Sequence, residues 1–297
     1  MKTKIFLAIA LPIAAIIAIM ACTKDANETN VVDNENVLTV ETYSYLGKLH
    51  NEGLTNVKNN FNIPEGNFSL SEKIDYIKNF NMEFLKSANI NEFATQKDVE
   101  FYMDRYKNFA DKRQLYTKCF TPVMKVQSSV NSETAENDDI DIYAALDIAF
   151  QKDSIDEFEY KSMKKILDYA KASFDTLAPN PSQSFVSLLD EIGKEFNNKK
   201  YPADSKYGHS VGAVLAIGNA SNEWWTSNSD MIDVGNSDDE IMQLQIAPAM
   251  DAIGAIAGMA TSLIAGGDFG DVMIGGFCGA LLESTGILGR IGRWLGL

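Results

Sequence analysis

Glycines spaced four residues apart constrain this chain more than any other feature. Gly254/Gly258, Gly266/Gly270, Gly275/Gly279 and Gly292/Gly296 all fall in residues 243–297, and Gly208/Gly212 repeats the interval upstream. On an α-helix, residues i and i+4 lie on one face. Each pair therefore opens a flat strip on which a second helix can approach to backbone contact. Gly266-Gly267-Asp268 interrupts the apolar run. The pattern predicts two helices, residues 243–265 and 269–284, folded back on each other as a tight hairpin.

Such a hairpin resembles glycine-zipper proteins and some bacteriocin-like peptides. That resemblance implies entry into a membrane or self-association, with Arg290, Arg293 and Trp294 resting at a bilayer interface. The competing expectation is an ordinary buried hairpin inside an α-domain. Its uninterrupted apolar run, residues 253–267, is short, and Asp251, Asp268, Asp271 and Glu283 break the pattern. A carboxylate costs about 2.5–3.5 kcal/mol at the bilayer centre, which favours the buried alternative.

The rest of the chain reads as helix. Leu46, Leu49, Leu54, Val57 and Phe61 fit one face of a helix that ends at Asn62-Ile63-Pro64-Glu65-Gly66. Ser69 with Glu72 is a capping-box pair opening a second helix. Thr95 with Asp98 marks another start, and Ile142, Leu146, Ala149 and Phe150 outline a further helix. Ser154 with Glu157 opens a long one, and Asn180-Pro181-Ser182-Gln183 starts the next. Runs that alternate apolar and polar residues are scarce. The fold class expected is all-α, a multi-helix bundle with a C-terminal glycine-zipper hairpin. Its parts are a leader at 1–21, a tether at 22–39, an α-helical domain at 40–200 and a small-residue-rich helical region at 201–297. Within that region, residues 226–241 read as an acidic loop.

The leader has its own logic. Lys2 and Lys4 precede an unbroken apolar stretch from residue 5 to 21, which closes on Ile19-Met20-Ala21-Cys22. At 17 residues the stretch is short for a bilayer span of about 20. A basic start, a greasy middle and small residues before a cysteine resemble the signal of bacterial lipoproteins. The resemblance implies cleavage after Ala21 and a covalent lipid on Cys22, with acyl chains such as palmitate holding the protein to a membrane. Thr23-Lys24-Asp25 resembles the export signal of Bacteroidota-type lipoproteins, which implies the outer membrane, on its periplasmic or cell-surface side. An early Gly47-Lys48-Leu49-His50-Asn51-Glu52-Gly53-Leu54 segment, the Trp224-Trp225 pair and the Gly/Ala-rich end resemble secreted or lipidated Bacteroidota proteins. No activity comes with that likeness.

Charge limits the partners. Removing Lys2 and Lys4 from the 26 basic residues leaves 24 against 41 acidic ones, a formal balance of −17. So acidic a body repels nucleic acid and anionic lipid. Its expected partners are the membrane, through the lipid anchor, and a protein partner or another copy of itself. Of the three cysteines, Cys22 goes to the lipid. Cys119 and Cys278 either pair as a disulfide or serve singly as small buried hydrophobes.

Chemistry-bearing clusters are few. The chain has two histidines. His50 shares a helix face with Leu46 and Leu54, which makes it a core histidine. The alternative, an enzyme site near it, groups His50, Asn51 and Glu52 in a polar pocket. Adjacent helical residues diverge by about 100°, so these three need a second helix to converge. His209 is placed at a helix start. Asp138, Asp139 and Asp141 lack the spacing of a calcium loop, and Asp238, Asp239 and Glu240 suit a helix N-terminus. Trp224 and Trp225 read as packing in preference to a sugar-stacking platform. No catalytic residue, metal site or cofactor beyond the Cys22 lipid is expected. The reading is a lipid-anchored envelope protein that works by binding or assembly.

Overall fold

A computed structural model describes residues 37–88, 123–125, 139–174, 184–231, 237–264, 266–267 and 269–287, together with Ile291 and Trp294. The leader, most of the tether, the helix expected after Thr95, Cys22, Cys119, Asp138, Asn180–Gln183, Arg290, Arg293 and Gly292/Gly296 lie outside these residues. Residues 37–297 belong to one compact unit. Its helices are α1 Ser44–Asn60, α2 Leu70–Ser87, α3 Ile142–Gln151, α4 Glu157–Phe174, α5 Phe185–Lys199, α6 His209–Ser227, α7 Ser237–Ile264 and α8 Phe269–Ile287. The fold is an all-α multi-helix bundle. A short antiparallel ribbon accompanies it, with β1 Val123–Lys125 paired to β2 Asp139–Asp141.

The helices on the outside carry one apolar stripe. In α1, Leu46, Leu49, Leu54 and Val57 are buried while Lys48 and Glu52 face water. In α5 the buried set is Phe185, Leu188, Leu189, Ile192 and Phe196. Two helices differ. Every residue of α6 from Val211 to Gly218 is buried, as is every residue of α7 from Ala247 to Ser262. A helix apolar all round belongs at the centre of a bundle. Accordingly, α7 touches α8, α6, α4, α3 and α5, while α1 packs on α6, α8 and α2.

Small residues set the closest approaches. A Cβ on Gly258 would stand 1.8 Å from the Gly275 carbonyl oxygen, and one on Gly279 would stand 2.0 Å from that of Gly254. The four glycines thus let α7 and α8 pack backbone to backbone. Gly266 does not pack, contrary to the expectation from its spacing. It turns the chain at φ +77° with nothing near its missing side chain, a conformation that glycine adopts without steric cost. Gly270 lies in the first turn of α8, half-buried. At the other crossing, Gly47 brings α1 against the Ala216 carbonyl and the Ala220 methyl of α6.

Helix starts follow side-chain capping. The Ser69 hydroxyl accepts from the Glu72 amide, and the Glu72 carboxylate accepts from the Ser69 amide. Replacing Ser69 with Ala should lower stability by about 1 kcal/mol, read as an earlier urea midpoint with an unchanged slope. Two starts shift from expectation. The box that opens α4 is Asp156 with Glu159, each taking the other's amide, in place of Ser154 with Glu157. For α5 the cap is Ser184, whose hydroxyl accepts from the Ser187 amide. The expected acidic loop is also shorter, because α7 already begins at Ser237. Its first turn spans Asp238, Asp239 and Glu240. The tether ends earlier than expected too. Leu38 is buried, and its amide donates to the Tyr201 carbonyl at 2.7 Å.

Candidate functional site: a buried polar centre and an adjoining groove

Where α1, α6, α7 and α8 meet, the apolar core holds a polar centre. The His50, Asp251, Ser221 and Ser284 side chains are all fully buried. Ser221 and the Trp225 indole nitrogen donate to Asp251 Oδ2, at 2.5 and 2.8 Å. His50 Nε2 lies 2.8 Å from Ser284 Oγ and 3.7 Å from Asp251 Oδ2. The Ser284 hydroxyl also lies 2.9 Å from the Ala280 carbonyl. Asp251 Oδ1 has no hydrogen-bond partner.

Electrostatics push this centre towards neutrality. Burial lowers the pKa of His50, opposed by the Asp251 carboxylate. Burial raises that of Asp251, opposed first by His50 and then by its hydrogen-bond donors. The arrangement is not a catalytic relay. A relay places the acid on one ring nitrogen and the nucleophile on the other, whereas Ser284 and Asp251 both face Nε2. The centre is also sealed from solvent.

The expected His50–Asn51–Glu52 grouping divides. His50 points inward, while Asn51 and Glu52 line an open groove of about 670 Å³ between α1 and α6. Asn51 joins the two regions. Its Oδ1 lies 3.3 Å from His50 Nδ1, and its amide donates to the Ala220 carbonyl on the opposite wall. Thr55, also in the groove, accepts from the Trp224 indole at 3.0 Å. Trp224 in turn meets Trp225 edge-on, with ring centroids 5.0 Å apart. Both tryptophans are therefore core residues with a satisfied N–H, as their reading as packing anticipated.

A second buried group lies at the start of α6. Glu159 is 1% exposed. Its carboxylate accepts from the amides of Asp156, Gly208 and Ser210. Burial still dominates and raises its pKa to about 7. Nearby, His209 Nε2 donates to the Ser205 carbonyl and Nδ1 accepts from the Tyr43 hydroxyl at 2.6 Å. Tyr201 donates to Asp156 at 2.5 Å. His209 thus sits at a helix start, as expected.

The sign of the Glu159 effect follows from its folded pKa lying above the ordinary 4.5. Its stabilising contribution is complete below about pH 4.5 and is lost as pH rises through about 7. The loss amounts to about 3 kcal/mol. Wild type should therefore lose stability between pH 5 and 8 relative to Glu159→Gln. Urea unfolding of both proteins across that range measures the difference, and parallel curves would contradict the assignment.

The other expected sites are placed as follows. Cys278 is buried without a disulfide partner among the described residues, and burial raises its thiol pKa. Trp294 packs against Phe61, Phe68 and Tyr76, and Lys73 lies over its ring. Among the described residues, no group of three or more His, Cys, Asp or Glu side chains gathers as a metal site. Sequence reasoning missed Asp251 and Ser284, which face His50, and Ser221, which donates to Asp251. The available signal was the single acid, Asp251, in the apolar stretch 246–264, for which burial demands a partner. Family models, curated proteins and solved structures contain no match to this chain.

Proposed function

We propose that this is a lipid-anchored envelope protein that binds a small molecule in the groove between α1 and α6. The anchor rests on the signal ending at Cys22. The binding reading is carried by one observation, the open groove of about 670 Å³, a volume within the range of ligand pockets. Ser44, Asn219 and Glu223 present polar groups to it. The Gly47 crossing holds its two walls at fixed separation. A ligand site on rigid helices at the tip of a tether suits capture near a bilayer.

Native mass spectrometry of the full-length protein, extracted in detergent from producing cells, tests both parts. The expected result is a lipid mass on Cys22 and a small-molecule adduct that disappears in Asn219→Trp. An uncut, unlipidated terminus removes the anchor. A bare protein that takes up nothing from a metabolite extract removes the binding function.

A second reading is membrane activity by the α7–α8 hairpin. The stretch Ala247–Ile264 is long and apolar enough to cross a membrane. Its burial in the bundle equally suits a core helix. Dye release from vesicles by the full-length protein, compared with Gly258→Leu, decides between them. Intact vesicles after exposure to the wild-type protein dismiss this reading.

A further inference from the structure

The groove's lining is selective in charge and in polarity. Its carboxylates are Glu41, Glu52 and Glu223, against the single ammonium of Lys48. Lys48 lies 4.0 Å from Glu52 and is largely exposed, so it neutralises little of the groove. An anionic ligand is disfavoured, and the acidity of the whole body repels it further. Hydroxyls of Ser44 and Thr55 and amides of Asn51 and Asn219 supply the hydrogen-bonding capacity. Its apolar residues are Val40, Ala216 and Ala220, and no aromatic ring among the described residues lines it to stack on a flat ligand.

Two of these lining residues are also the outer ends of chains of side-chain contacts that meet at Asp251. One runs from Asn51 to His50, whose Nε2 faces Asp251. The other runs from Thr55 through Trp224 and Trp225, whose indole donates to Asp251. The floor of the groove is thereby continuous with the polar centre that joins α1, α6, α7 and α8.

From these features we propose that the groove takes a hydroxyl-rich amine of about disaccharide size, and that Asn51 and Thr55 tie its occupancy to the Asp251 centre. This rests on the binding function proposed above. The ammonium lies against the carboxylates, and the hydroxyls exchange hydrogen bonds with Ser44, Asn219 and Thr55. The Thr55–Trp224 contact makes occupancy visible in indole emission.

The test uses the full-length protein carrying Trp294→Phe, so that emission comes from Trp224 and Trp225. The probe is the β-1,4-linked dimer of glucosamine, set against its N-acetylated form and cellobiose, both neutral. Saturable binding of the amine by calorimetry is expected, with a parallel change in emission. Glu223→Gln should weaken binding about three- to fivefold, the worth of one exposed charge pair. Compared at saturating amine, Thr55→Val should show a smaller emission change than the parent protein.

Equal binding of the neutral sugars overturns the ligand class and leaves the groove as a binding site. The ligand class is likewise overturned if no probe binds while the adduct sensitive to Asn219→Trp persists. An unaltered emission response in Thr55→Val overturns the coupling. If no probe binds and no adduct is found, the binding function falls as well.

Discussion

Gly258→Ala should be among the most damaging single-methyl changes available in this chain. The new methyl would lie 1.8 Å from the Gly275 carbonyl oxygen, with the Gly275 carbonyl carbon at 2.5 Å. Both obstacles are backbone, so no rotamer change relieves them. The two helices must separate, and their separation opens voids along a fully buried seam. Overpacking usually costs 1–3 kcal/mol and sometimes more, and here about 3–4 kcal/mol is expected.

Gly193→Ala is the internal control. Its Cβ would meet only Val40 at 3.7 Å, an ordinary contact. In a helix interior that change should stabilise by about 0.5–1 kcal/mol. Opposite signs for one chemical change would show that proximity, not helix propensity, governs α7 and α8. Urea unfolding of both variants gives the comparison. A loss below about 1 kcal/mol in Gly258→Ala would mean that the helices do not touch there.

The two glycine results also show where sequence is informative. The four-residue interval of Gly254, Gly258, Gly275 and Gly279 is legible in the sequence, because spacing and helical geometry are both local properties. The same rule misplaced Gly266, since a turn glycine and a packing glycine are indistinguishable by interval. Helix faces were legible for a related reason. Leu46 to Val57 and Leu188 to Phe196 repeat with the helical period, and those residues are buried. Starts were less secure wherever neighbouring residues compete to cap. Ser154 and Asp156 both offer an oxygen to the first turn of α4, and the choice depends on where Glu159 points.

The polar centre was hardest to read. Nothing local to His50 announces Ser284, 234 residues away, or Asp251 on α7. That pairing is fixed by the packing of α1 on α8 and of α8 on α7, a tertiary fact. The groove was equally hidden, because its two walls are contributed by α1 and α6, residues far apart in the chain. Only the divergence of His50, Asn51 and Glu52 around one helix, which demands a second, pointed towards it.

Asp251→Leu should cost about 3–5 kcal/mol, the scale for breaking a buried polar cluster from one side. The substitution strands two buried donors, the Ser221 hydroxyl and the Trp225 indole, and removes the charge partner of His50. Asp251→Asn should cost much less. Both donors already share Oδ2, which an amide oxygen can replace, while the amide nitrogen takes the place of the unpartnered Oδ1. The double variant His50→Phe with Asp251→Leu should lose less than the sum of its singles, since apolar groups replace both sides of the contact. Acid separates the contributions further. The folded pKa of His50 lies below its ordinary 6.5, so its contribution is complete above about 6.5 and is lost as pH falls below that value. His50→Phe should lack that loss, seen as a midpoint difference from wild type that shifts in the variant's favour as pH falls from 7 to 5. Additive losses in the double variant, together with an unchanged acid slope, would mean that His50 and Asp251 are separate core residues and not one coupled centre.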